Sequence, residues 1–149
     1  MKPLRFEPLT PRQQDQALAL MRAYYVEDGH RFEPETAQRA LDAILAGDAP
    51  AWFWLIALDG AVVGYLCLTG GFSLEVGAGD FFLDEIYVVP DVRSAGIGRA
   101  AVAFAEAEAR AKGAARLCLE VQPENARAAA LYVREGYESH GRPLMSKRL

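Results

Sequence analysis

The sequence has few of the residues that build disulfide frameworks and metal sites: two cysteines and two histidines in 149 residues. Cys67 and Cys118 both lie within apolar stretches, where a thiol behaves as a small hydrophobic side chain. No histidine base stands beside either thiol, as a nucleophile would need, and His30 and His140 form no close Cys/His spacing typical of a zinc site. We therefore predict buried, unreactive cysteines and no bound metal.

Long apolar runs and basic blocks are also missing. The longest apolar run, Ala51 to Leu58, is far shorter than the roughly 20 residues that span a bilayer. The N-terminal residues Met1 to Arg5 lack the apolar core of a secretory signal. The 16 basic residues are spread along the chain against 20 acids, for a net charge of −4. We expect a cytoplasmic protein with no membrane and no nucleic acid among its partners.

Apolar residues make up 52% of the chain and charged residues 24%. That composition is typical of a soluble domain with a sizeable core. The length corresponds to one domain at roughly 100–200 residues per domain, so residues 1–149 are predicted to form a single unit.

Turn and cap signals divide this unit into short elements. Asp59-Gly60 joins two β-rich runs and is the pair that most favours a type I′ hairpin turn. Thr10 to Gln13 begins a helix with a capping hydroxyl, an early proline and a glutamine that completes a capping box. The predicted order is βααβββαβαβ, an α+β (mixed α/β) fold. Strands are predicted at Leu4–Leu9, Ala51–Leu58, Ala61–Thr69, Phe81–Val89 and Arg116–Val121, with one or two more before Leu149, and helices at Pro11–Asp28, Pro34–Gly47, Ile97–Lys112 and Asn125–Glu135.

The most informative segment runs from Val88 to Arg99, where a strand ends and glycines open a helix. Exposed amides and the helix dipole make such a start an anion site, and glycines let a phosphate approach the backbone closely. We infer a phosphate-bearing ligand, against the alternative that the glycines only make a tight turn.

A dinucleotide fingerprint is the competing interpretation, because Gly96-x-Gly98-x-x-Ala101 is followed by Glu120 at a strand end. Six residues separate Val89 from Gly96 where that fingerprint needs an immediate turn. Asp84-Glu85 also interrupts what should be an apolar parallel strand. Too few residues follow Glu120 to complete a dinucleotide domain.

The same segment, Arg93-x-x-Gly96-x-Gly98 after a strand ending in Val-x-Pro, resembles the acyl-CoA loop of the GNAT N-acetyltransferases. Asn125, Ala129-Ala130-Leu131-Tyr132 and Gly136-Tyr137 are similar to that family's second signature. The resemblance extends over nearly the whole chain and implies a GNAT-type fold, with a mixed twisted sheet of six to seven strands and about four helices. Arg93 is followed by Ser-Ala where family members often have Gly-Lys or Gly-Arg, which removes a glycine and a positive charge.

The resemblance implies acetyl-CoA as co-substrate. One strand edge would pair with the pantetheine arm, and the backbone amides of the following loop would hold the pyrophosphate. The side chain of Arg93 is expected to add charge, Arg99 is either a phosphate contact or a solvent-exposed helix residue, and Asn125 is either a ligand of the CoA arm or only a helix cap. The residues expected to bind acetyl-CoA are Ile86, Tyr87, Val88, Arg93, Ser94, Ala95, Gly96, Ile97, Gly98, Arg99 and Asn125.

The chemistry implied is transfer of the acetyl group to an amine by direct attack, through a tetrahedral intermediate. An alkyl amine titrates near pKa 10.4, so at neutral pH a group must accept its proton. Asp84 and Glu85 are the candidates; strict strand alternation would point them to opposite faces, and the resemblance favours Asp84. By the same resemblance, Tyr132 is the proton donor to the departing thiolate; the alternative is that it is only a buried aromatic.

The acceptor is expected to be a small cationic amine, since the regions that form the acceptor pocket in the family carry acids among aromatics. The residues expected to bind it are Tyr25, Glu27, His30, Phe32 and Glu75. Two other functions stay open, acetylation of a protein N-terminus or lysine and a non-catalytic CoA-sensing module. An exposed last strand at Leu144 to Leu149 would permit a homodimer without requiring one.

Overall fold

A computed structural model describes residues 2–149 of the chain. Its centre is the hairpin of β2 (Ala51–Leu58) and β3 (Ala61–Thr69). Asp59 and Gly60 have φ angles of 54° and 81°, the positive values that a type I′ turn requires at both positions. The hairpin is therefore confirmed at the predicted residues.

The sheet has six strands, completed by β1 (Leu4–Pro8), β4 (Phe72–Ser73), β5 (Ala78–Val88) and β6 (Ala114–Cys118). Strands β1, β2, β3 and β5 are antiparallel neighbours in that order, and β4 forms a short antiparallel pair with the start of β5. Strand β6 is parallel to β5. The sheet is thus mixed, as expected for the predicted α+β class.

Helices cover both faces of the sheet. Helices α1 (Gln14–Asp28) and α2 (Pro34–Ala46) cover one face, where Leu41 and Tyr65 are almost completely buried. Helix α3 (Ile97–Ala111) covers the opposite face, packed on Leu66 and Leu68. Helix α4 (Ala126–Arg134) lies beside α3, and Tyr132 joins the same core. Burial of these apolar faces stabilises the fold by about 25 cal/mol per Å² removed from water.

The predicted last strand is wrong. Residues 137–149 have no strand pairing, and β6 ends at Cys118 instead of Val121. Gly141 and Pro143 interrupt any alternating pattern in this polar tail, and proline cannot donate a ladder hydrogen bond. The expected homodimer relied on an exposed last strand, and this segment forms no strand. Within residues 2–149, no helix is long and apolar enough to cross a membrane.

Candidate active site

The carboxyl half of β5 has one free edge. Phe82 pairs with both Thr69 of β3 and Cys118 of β6, but from Leu83 to Val88 the strand pairs with β3 alone. Because β6 ends at Cys118, the chain diverges there and leaves a cleft of ≈ 1640 Å³ between β5, α1, α3 and α4. The backbone groups of Ile86 and Val88 lie along this open edge.

A β-bulge in β5 changes which side chains reach the cleft. Leu68 pairs with Leu83 and Cys67 pairs with Glu85, so Asp84 is the extra residue. The prediction that Asp84 and Glu85 point to opposite faces is wrong, because a bulge interrupts strand alternation. Both carboxylates line the cleft.

Glu85 is held by two phenols from different elements. Tyr25 of α1 donates to its Oε2 at 2.6 Å, and Tyr65 of β3 donates to its Oε1 at 2.8 Å. Burial raises the pKa of Glu85, and the two hydrogen bonds oppose that shift by stabilising the carboxylate. The arrangement fixes the carboxylate rigidly and ties α1 to the sheet.

Asp84 has no such partner. Its carboxylate makes no hydrogen bond or ion pair within residues 2–149 and reaches water through the opening of the cleft. The protein that surrounds it on the other sides raises its pKa by desolvation. An unpartnered carboxyl group with a raised pKa is suited to accepting a proton.

Tyr132 of α4 lines the same cleft as the two carboxylates. Its side chain is 9% exposed and packs edge-on against Tyr137, with ring centroids 5.9 Å apart. Burial raises its pKa, which keeps the phenol protonated near neutral pH. The hydroxyl makes no hydrogen bond within residues 2–149 and lies at the cleft, so it is free to donate a proton.

The loop before α3 presents a row of free amides. Ala100 is the first residue of this region to make a helical hydrogen bond, to the carbonyl of Gly96. None of the six amides from Ser94 to Arg99 donates to an acceptor within residues 2–149, and Ser94 and Gly96 have positive φ angles. Unsatisfied amides at a helix N-terminus bind anions. The loop therefore fits the pyrophosphate expected there, and Ser94, Gly96, Ile97 and Gly98 line the cleft.

The side chain of Arg93 does not add free charge to this loop. Its Nε donates to the carbonyl of Val88 at 2.8 Å, and its two terminal nitrogens lie 2.7 and 2.8 Å from the carboxylate oxygens of Glu27. This pairing lowers the pKa of Glu27. Glu27, expected to bind the acceptor, is paired with Arg93 instead.

The remaining acceptor residues divide into two groups. Tyr25 and His30 line the cleft, and His30 lies 2.7 Å from Asp28, which accepts a hydrogen bond from Gln122 at 3.0 Å. This contact joins the end of α1 to the β6–α4 loop. Phe32 is stacked edge-on against Tyr25 behind the cleft wall. Glu75 is exposed near Arg116, away from the cleft-lining residues.

Two predicted cofactor residues have partners of their own. Asn125 caps α4 by accepting from the amide of Ala128 at 3.1 Å, while also lining the cleft. The side chain of Arg99 is 74% exposed and pairs with Glu135 at 3.0 Å.

Sequence reasoning missed three cleft-related residues. Tyr65 is hidden in an apolar strand, and Gln122 lies in a loop with no motif. Arg127 of α4 donates to the hydroxyl of Ser94 at 2.5 Å. The only sequence signal for Arg127 was its position two residues after the cap residue Asn125. That position lies in the first turn of the helix, which faces the glycine loop.

Neither cysteine thiol lies in the candidate active site. Cys67 is buried, and burial raises its pKa; Cys118 lies against Asp80 at 3.4 Å. Neither lines the cleft. Within residues 2–149, no three histidine, cysteine or acidic side chains are grouped so that they could hold a metal ion.

Comparison with known proteins defines the class. The sequence model of the acetyltransferase (GNAT) family matches residues 16–137, and the chain belongs to that family. The GNAT resemblance seen in the sequence is confirmed, and so is the fold. No curated protein matches the sequence significantly.

Solved structures agree with this assignment. An integron cassette protein from the mobile metagenome of the Cole Harbour salt marsh is 30% identical, with a TM-score of 0.84 over 97% of this chain and 90% of its own. An aminoglycoside N-acetyltransferase in complex with CoA is 16% identical, with a TM-score of 0.82 over 99% and 96%. A predicted acetyltransferase with acetyl-CoA from Clostridium acetobutylicum is 12% identical, with a TM-score of 0.80 over 97% and 96%. The last two likenesses concern the fold alone.

Proposed function

We propose that the protein transfers the acetyl group of acetyl-CoA to the amine of a small cationic molecule. The observation that carries this proposal is the meeting of two carboxylates, Asp84 and Glu85, with the free phenol of Tyr132 at one cleft beside an open strand edge. Family membership supports acetyl transfer in general; these side chains support an amine as the acceptor.

The cleft fits acetyl-CoA on two independent features. The unpaired edge of β5 offers the backbone groups of Ile86 and the amide of Val88 to a pantetheine arm, while the Val88 carbonyl already accepts from Arg93. The free amides of Ser94 to Arg99 offer donors to a pyrophosphate. When bound, acetyl-CoA supplies an activated acetyl thioester.

Asp84 is proposed to accept the proton that the amine loses. An ammonium has no lone pair, so it must release a proton before its nitrogen can form a bond to the acetyl carbon. Asp84 is unpartnered and partial desolvation raises its pKa, which makes it a stronger base than a fully solvated aspartate. Glu85 is already held by two phenols and supplies fixed negative charge near the amine.

Tyr132 is proposed to donate a proton to the departing sulfur. As the new carbon–nitrogen bond forms, the carbon–sulfur bond breaks, and the sulfur takes the proton of the phenol. Once bonded to the acetyl carbon, the nitrogen loses its second proton, which cleft water passes to the Tyr132 phenolate, and Asp84 releases the first proton to solvent. Direct transfer needs no enzyme nucleophile, in keeping with the absence of both thiols from the cleft lining.

A cationic acceptor follows from the charge around the acceptor end. Asp84 and Glu85 line the cleft and have no ion-pair partner within residues 2–149, and opposite charges attract more strongly where protein partly excludes water. A small acceptor is favoured over a protein segment because the Asp28–Gln122 contact joins the end of α1 to the β6–α4 loop at the cleft lining. An extended peptide would need an open groove at this place.

The direct test is release of CoA thiol from acetyl-CoA with separate pools of polyamines, amino acids, aminoglycosides, arylamines and lysine peptides. The proposal expects release with a cationic small-molecule pool, formation of the N-acetyl product by mass spectrometry, and loss of both in Asp84→Asn. Release with lysine peptides alone would support the protein acceptor. Binding of CoA without release in any pool would favour a non-catalytic CoA-sensing module.

A further inference from the structure

The loop that should bind the pyrophosphate carries little free charge of its own. Arg93 is held by Glu27 through both terminal nitrogens and by the carbonyl of Val88 through Nε. Its guanidinium also lies over the ring of Tyr87, 5.6 Å from the centroid. The two contacts with Glu27 join Arg93 to α1 and neutralise its charge, and the other two hold it against β5. The next two residues, Ser94 and Ala95, are uncharged.

A second arginine reaches the same loop from another element. Arg127 lies in the first turn of α4, lines the cleft, and donates from a terminal nitrogen to the hydroxyl of Ser94. It makes no ion pair within residues 2–149. Its positive charge is therefore not neutralised by a carboxylate.

The backbone of Ser94 keeps this contact in place. Ser94 has a φ of 73°, a conformation that costs a residue with a side chain about 1–2 kcal/mol. A glycine would fit that conformation without the cost but would have no hydroxyl to hold Arg127. The serine thus keeps the guanidinium beside the six free amides of the loop.

We propose that Arg127, and not the motif residue Arg93, is the side chain whose positive charge holds the pyrophosphate of acetyl-CoA. Arg93 is instead a positioning residue that joins the loop to α1, the helix that carries Tyr25 and Asp28 of the acceptor end. The proposal rests on the use of acetyl-CoA and is independent of which amine is the acceptor.

The test is calorimetric binding of CoA to Arg127→Gln and Arg93→Gln, with Arg39→Gln on α2 as the matched control. Arg39 is exposed outside the cleft, so its variant removes the same charge without touching the site. We expect Arg127→Gln to weaken CoA binding about tenfold. Arg93→Gln and Arg39→Gln should change it by less than about threefold.

Salt dependence separates lost charge from a disturbed loop. Raising NaCl from about 0.02 M to about 0.5 M shortens the Debye length from about 20 to about 4 Å. CoA binding should lose less affinity over this range in Arg127→Gln than in the parent protein, while Arg93→Gln keeps the parent slope. Arg127→Lys should also keep that slope, and Ser94→Gly should weaken binding by an intermediate factor.

The proposal is overturned if Arg93→Gln flattens the salt dependence, or if Arg127→Gln leaves both affinity and slope unchanged. Circular dichroism and thermal unfolding check that each variant is folded. None of these measurements needs an amine acceptor, so they remain decisive even if no acetyl transfer is found in any pool.

Discussion

The two walls of the cleft differ in how their polar groups are used. On the α1 wall, Glu85 is held by Tyr25 and Tyr65, and Glu27 is held by Arg93. On the α3–α4 wall, the amides of Ser94 to Arg99 and the hydroxyl of Tyr132 have no partner within residues 2–149. The polar groups of the α1 wall are hydrogen-bonded to one another. The α3–α4 wall presents hydrogen-bond donors that have no partner within residues 2–149.

This difference corresponds to two tasks. Groups held by neighbours keep a fixed geometry and need little reorganisation when a substrate arrives. Free donors gain most from a ligand, because their hydrogen bonds are made only in the complex. Asp84 is the exception, an unpartnered carboxylate that belongs to neither set.

Asp84→Asn is expected to have the largest effect. Loss of a positioned base typically lowers the rate about 10²–10⁴-fold, and the amide is nearly the same size as the carboxyl group. In the parent protein, the rate should fall as the pH drops through the pKa of Asp84, which burial raises above its ordinary value. Steady-state rates of thiol release across pH would measure both effects.

Glu85→Gln is the matched control for that variant. It makes the same chemical change one residue away, at a carboxylate already held by two phenols. If Glu85→Gln abolished the reaction while Asp84→Asn left it intact, the base would be Glu85 and not Asp84.

Tyr132→Phe should have the next largest effect, about 10–100-fold on kcat. Only the hydroxyl is removed, so the buried ring still packs against Tyr137 and CoA affinity should stay within about twofold. Stopped-flow thiol release and calorimetry with CoA measure the two quantities separately. Equal losses in both would show that Tyr132 is a structural aromatic and not a proton donor.

Much of the fold could be predicted from the sequence, because local signals were strong. The Asp59-Gly60 turn and the Asn125 cap depend on neighbours in the chain, and both form as expected. The glycine loop also lies at the start of α3 as predicted. Such features are set by backbone conformation within a few residues.

The rest depended on tertiary contacts that no local pattern contains. The bulge at Asp84 depends on the pairing of β5 with β3, 15 or more residues away in sequence, and a single inserted residue reverses which face later side chains occupy. The pairing of Arg93 with Glu27 spans 66 residues. A motif could indicate that Arg93 is near the loop. It could not indicate that the charge of Arg93 is paired with Glu27.

The Tyr65→Phe substitution tests the α1 wall by its effect on the free energy of unfolding. Removing one phenol donor leaves the partly buried Glu85 carboxylate with one hydrogen bond fewer, at a cost of about 1–3 kcal/mol. The pKa of Glu85 is raised in the folded protein, so its contribution favours folding at low pH and is lost as the pH rises through that pKa. The variant raises this pKa further.

The loss of stability in Tyr65→Phe should therefore be larger at pH 8 than at pH 5. Urea unfolding at the two pH values measures it. Val102→Ala, at a buried position of α3 on the opposite face of the sheet, should instead show the same loss at both pH values. A pH-independent loss in Tyr65→Phe would mean that only ring packing, and not the carboxylate, had been disturbed.

Arg99→Gln, on the α3–α4 wall, should have the smallest effect, which is measured on CoA affinity. Its amide belongs to the free row, but its side chain is 74% exposed and pairs with Glu135 at 3.0 Å. An exposed ion pair contributes about 0–1 kcal/mol, and the backbone amide is unchanged by the substitution. CoA affinity should change by less than about twofold by calorimetry. A tenfold loss would show that Arg99 leaves Glu135 for the phosphate, and the charge at this wall would then come from α3 as well as from α4.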